Sequence, residues 1–138
     1  MMILESGANT IILTLNELKT LDAPEYVIVF QCISTAKKVA CKLGTDLSDY
    51  PVRNNKFTLT VKTSPNPLNA EVNLETYRSY KYFVYERVDA DVFDFAGIDS
   101  VDLDTLTGEV ERNLMDYITE DTDLDYYKNI RTSITSNE

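Results

Sequence analysis

Polar and apolar side chains alternate along much of this chain, and the period is that of strands rather than helices. Ile11, Leu13 and Leu15 are separated by residues that include Thr14, and Asn16 follows, which predicts a half-buried strand. YVIVFQCIS, from Tyr26, is the most apolar β-prone run, and KVACKL follows it after a short polar turn, so the two read as a hairpin. KFTLTVK alternates cleanly, with Phe57, Leu59 and Val61 on one face. EVNL and SYKYFVYERV come next. In the latter, Tyr80, Tyr82, Val84 and Glu86 share one face, and Lys81, Phe83, Tyr85 and Arg87 the other. Aromatic residues on both faces predict a central strand, or one covered on both sides. Polar spacing returns through 89–108, and a last turn and strand are expected in LTGEVERNLMDYI around Gly108.

The breaks between these runs have turn chemistry. Pro24 ends regular structure after Asp22, and GTDLSDYPVRNN is loop-like, with Gly44, Asp49, Pro51 and the Asn54–Asn55 pair as punctuation. SPNPLN holds two of the four prolines and cannot lie inside a strand or helix. Leu15–Leu21 has room for one helical turn, too short to organise a fold. Several short strands at even spacing predict an all-β fold: a single antiparallel β-sandwich or barrel-like domain over residues 1–118, followed by an extended polar C-terminal arm over residues 119–138.

Composition adds limits. The chain has 138 residues, of which 43% are apolar, enough for one domain with a core. No apolar run reaches the roughly 18 residues of a membrane span. The amino-terminal MMILESGANT has no basic, then apolar, leader pattern, so a cleaved secretory signal is not expected. Net charge is −10, unevenly spread: Asp89 to Asp125 holds thirteen acids and one base, Arg112, for −12, leaving ten acids and twelve bases, +2, elsewhere. An acidic third repels phosphate backbones, so nucleic acid is not an expected partner.

Residue chemistry narrows function further. Histidine is absent, which removes Ser-His-Asp and Cys-His catalysis and the commonest zinc ligand. Cys32 and Cys41 do not form a Cys-x-x-Cys knuckle, and the four glycines build no phosphate-binding loop. The two cysteines are expected opposite each other on the inner face of the hairpin, either as buried free thiols or as a structural disulfide. Acids in excess raise calcium. Asp89, Asp91 and Asp94 begin with ligand spacing but put Phe93 at the third ligand position and Asp94 at the glycine position. Asp121, Asp123 and Asp125 are followed by Tyr126 in place of glycine and Thr132 in place of the bidentate Glu. Neither is an EF-hand, and the segment reads as a solvated acidic edge. A looser calcium site made by neighbouring loops stays open, as does a glycosidase-like carboxylate pair, although no pair stands out and tryptophan is absent. No catalytic residue, metal ligand or cofactor is therefore expected.

Three stretches carry a resemblance. They are NTIILTLNEL leading to YVIVFQCIS, then YPVRNNKFTLTV, then YRSYKYFVYE followed by GEVERNLMDYI. Their order resembles small β-sandwich virion proteins of tailed phages that infect Bacteroidetes, including the crAss-like phages. The resemblance covers about residues 9–118 and departs from the pattern in Glu109–Tyr117, where Asn113 replaces a glycine. It implies a non-enzymatic virion subunit (capsid-associated, head-fibre or head–tail connector), with other virion proteins (capsid, portal or tail) and copies of itself as partners. It implies residence in the virion after synthesis in the bacterial cytoplasm, and it carries over no catalytic residues. Tyr126, Tyr127, Ile130 and Ile134, in the polar arm, are the candidate subunit contacts. A carbohydrate- or calcium-dependent binding module is the alternative.

Overall fold

A computed structural model describes residues 2–15, 19, 21, 24–49, 54–74 and 79–118. The strands are β1 (Met2–Leu4), β2 (Gly7–Leu13), β3 (Glu25–Cys32), β4 (Lys38–Lys42), β5 (Asn55–Val61), β6 (Glu71–Val72), β7 (Ser79–Arg87) and β8 (Glu109–Tyr117). They form a five-stranded sheet in the order β1-β8-β7-β3-β4 and a three-stranded sheet in the order β2-β5-β6. The two sheets pack face to face as the all-β sandwich predicted by the alternation. All the described strands lie in the body expected over residues 1–118. Residues 119–138, expected as an extended arm, lie outside the described residues.

Alternation decides what each strand buries. β5 reads buried-exposed-buried along its length, sending Phe57, Leu59 and Val61 inward while Lys56 and Thr58 stay outside. β2 does the same with Ile11 and Leu13. Facing them from the large sheet are Ile28 and Phe30 of β3, Tyr82 and Val84 of β7, and Met115 of β8, all in one buried cluster. Tyr26 and Phe57 meet edge to face across the sheets, centroids 6.2 Å apart at 69°. Burying each large apolar side chain of this core contributes roughly 2 kcal/mol.

Pairing β3–β4, β3–β7, β7–β8 and β2–β5 is antiparallel, but β1–β8 and β5–β6 run parallel. The first parallel pair joins the first and last strands, so the whole intervening chain serves as its crossover. The second pair needs a loop that turns fully round within 62–70. Pro67 opens a 3-10 turn there, Asn66 caps it, and Ala70 at φ 57 redirects the chain into β6.

β7 is the central strand covered on both faces, as its aromatics predict. Tyr82 and Val84 lie in the sandwich core, while Phe83 and Tyr85 lie in a second cluster on the outer face with Val27, Val29 and Ala40. Residues 88–108 cover that outer cluster, which corrects the expectation of a merely polar, solvated stretch. Three short 3-10 turns, Ala90–Val92, Ile98–Ser100 and Leu103–Thr105, let this segment hug the sheet. Ala90 and Ile98 are buried in it, and Phe93, Phe95, Val101, Leu103 and Leu106 pack around them. A chain of single turns has no long period, so its apolar residues show neither the strand nor the helix pattern.

Candidate functional site

The acidic residues are the first candidates, and the structure gives several of them local bonding roles. Asp89 and Asp102 cap 3-10 turns by accepting from the backbone N–H of Asp91 and Asp104, each at 3.0 Å, and Asp94 accepts from Gly97 N–H at 3.0 Å. Two lysines of β4 tie the covering segment down. Lys42 Nζ lies 2.9 Å from Glu25 Oε2 and 2.9 Å from Asp91 Oδ1, while Glu25 Oε1 accepts from Ala90 N–H at 2.9 Å. Hydrogen bonds to Asp91 and then Glu25 push the Lys42 ammonium well above its ordinary pKa. The bond from Lys42, followed by that from Ala90 N–H, lowers the Glu25 carboxyl. Asp99 Oδ1 accepts from Lys38 N–H at 3.0 Å, and its carbonyl accepts from Lys38 Nζ at 3.1 Å. Arg87 stacks over Tyr85 and Phe93 at 5.6 and 5.4 Å, and Arg112, paired with Glu109, stacks over Phe83 at 5.0 Å.

This pattern differs from a cation site, in which several carboxylates point at one centre. Among the described residues, no group of three or more His, Cys, Asp or Glu is placed to hold a metal ion. The acids do chemistry of another sort: they close turns and hold two lysines.

The cysteines are both free and buried among the described residues. They do not face each other, which corrects the hairpin expectation. Cys41 stands opposite Ile28, whereas Cys32 lies beyond the last β3–β4 pair, Gln31 with Lys38. The offset of four residues is roughly 13 Å along the strand, beyond disulfide reach. Burial pushes the Cys41 thiol up. At Cys32 burial also acts upward, but hydrogen bonds from Ser34 and Thr35 outweigh it and bring the thiol down to about 7; its Sγ is 3.4 Å from Ser34 Oγ.

The tyrosines of the sheet are packing residues. Tyr82 Oη donates to Glu111 Oε2 at 2.7 Å, and Glu111 Oε1 accepts from Thr14 N–H and Oγ1 at 3.0 and 3.1 Å. Burial, then Glu111, raises the Tyr82 phenol. This network pins the end of β2 to β8, one strand from each sheet. Tyr126, Tyr127, Ile130 and Ile134, the candidate contacts, lie outside the described residues.

The surface feature that the sequence did not single out is the edge beside this network. β2 ends the order of its sheet and has no partner on its other side among the described residues. A groove of about 590 Å³ runs along it, with Thr10, Ile12 and Thr14 on one side and Met2, Ile3 and Asn113 on the other. Ile12 is 64% exposed and Ile3 49%. The signal was present as GANTIIL, seven residues without a charge, but only the pairing order shows that this strand is an edge. Among the described residues no helix is long and apolar enough to cross a membrane. Comparison with protein families, with curated proteins and with solved structures finds no match to this chain.

Proposed function

We propose that this chain is a non-enzymatic structural protein of a bacteriophage virion, a capsid-associated, head-fibre or head–tail connector subunit that acts through protein–protein contacts. One observation carries the reading: an uncharged seven-residue sheet edge, β2, bordered by a groove and by exposed Ile3 and Ile12. Unpaired strand edges are templates for another chain, and sequences that must stay monomeric usually blunt them. The resemblance of the three strand-and-turn stretches to phage virion proteins supplies the setting. Capsid, portal or tail proteins and further copies of this chain are the partners in this reading.

The test is incorporation. Particles assembled with the full chain should contain it when their proteins are identified by mass spectrometry, and removal of residues 119–138 should abolish incorporation. Particles that assemble normally without the chain ever being found in them would exclude the role.

A further inference from the structure

Among the described residues, four strands end the two sheets: β1, β4, β2 and β6. Three of them are protected as sheet edges usually are. β4 carries Lys38 and Lys42 and is tied to the Asp99 turn. β1 has three residues and β6 two. β2 has seven, with no lysine, no acid and no proline. A strand added there would pair backbone and also cover apolar surface at Ile12 and Ile3.

The described chain ends beside β1, the edge strand that borders the groove. Ile118 N–H donates to Leu4 O at 3.0 Å, just past the β1–β8 pair Leu4–Tyr117, and residues 119–138 follow. Within them YYKNIRTSIT, residues 126–135, is rich in β-prone Tyr, Ile and Thr. Tyr126, Ile130 and Ile134 fall at even positions, which an extended strand presents on one face. The preceding TEDTDLD holds four acids in seven residues with no glycine or proline. Seven residues reach at most roughly 23 Å, and like charges within a linker oppose folding it tightly back.

Resting on the assembly role proposed above, we infer that residues 126–135 of one copy add as a strand to β2 of the next. The contact is heterologous, head to tail, so it propagates until a ring closes or a filament grows. The strand supplied in trans is of this chain's own chemistry, and each copy offers one arm and one edge.

Sedimentation velocity on the full chain tests this with two variants. Thr10→Lys puts a charge in the middle of the edge at an exposed position, and the double change Ile130→Asp with Ile134→Asp spoils the arm. The unmodified chain should associate with rising concentration, and each variant should weaken association by about tenfold or more with unchanged circular dichroism. An equimolar mixture should form heterodimers, because one variant keeps the arm and the other keeps the edge. If both variants associate like the parent, the docking is wrong while the assembly role stands. If the mixture stays monomeric, the arm does not dock on a second copy. If the parent is monomeric at every concentration, the exchange is excluded, and incorporation into particles then judges the role separately.

Discussion

Tyr82 and Tyr85 are three residues apart on β7 and face opposite sides, and their hydroxyls fare differently. Tyr82 Oη has Glu111 at 2.7 Å. Tyr85 is 1% exposed and its Oη finds no hydrogen-bond partner among the described residues. Burial pushes its phenol up to about 12. A buried unpaired hydroxyl costs about 1–3 kcal/mol, whereas the ring beneath it contributes packing under Arg87. Tyr85→Phe keeps the ring and removes the cost. It is expected to stabilise the fold by about 1 kcal/mol, a rise of about 3 °C in thermal midpoint. Tyr82→Phe, which strips Glu111 of a donor, should lower the midpoint. If both changes lowered it equally, the difference drawn between the two faces would be wrong.

Elements with a strong local pattern were legible: β5 alternates, β3 is a continuous apolar run and β7 carries aromatics on both faces, and the structure buries one face of the first and both faces of the other two. β1 and β6, with three and two residues, are too short to show a period, and they pair through contacts set by the rest of the fold. The covering segment 88–108 was unreadable for another reason. Phe93, Phe95, Ile98 and Leu106 follow successive single turns, and its aspartates look solvated until the turns they cap are seen. The groove depends on the order of strands, a nonlocal property that the charge-free GANTIIL does not encode by itself. The joint between this cover and β8 rests on Gly108, at φ 86, where an added Cβ would sit 2.8 Å from Glu86 O. Its carbonyl accepts from Glu86 N–H at 2.8 Å, next to the register shift at Val84 and Tyr85. Gly108→Ala therefore meets both backbone strain and a clash, and a loss of about 1–3 kcal/mol is expected in chemical denaturation. An unchanged midpoint would mean that the joint relaxes at no cost.

On the scale of the molecule, two carboxylates outside the acidic third connect distant parts of the sandwich. Glu25 joins β3 to Lys42 of β4 and to Ala90 of the cover. Asp46 accepts from Ser48 and Lys56 N–H, each at 2.9 Å, and from Asn55 Nδ2 at 2.7 Å, while buried Asn55 in turn accepts from Leu15 N–H at 2.9 Å. At Asp46 burial acts upward, but these donors outweigh it, and both carboxyls are held below their ordinary values of 3.8 for Asp and 4.5 for Glu. The folded state therefore binds these protons less readily than the unfolded chain does. Their contribution is complete above about pH 5 and is lost as pH falls through the ordinary carboxyl range and on to the lowered folded values. Urea midpoints should thus agree between pH 7 and pH 5.5 and fall between pH 5 and pH 3. Asp46→Asn separates this linkage from general acid effects. It should lower the midpoint at pH 7, because a charge-assisted acceptor for three donors is lost, and it should flatten the acid fall because one titrating group is gone. A variant that loses stability at neutral pH but keeps the parent's full acid slope would show that Asp46 does not couple folding to protons.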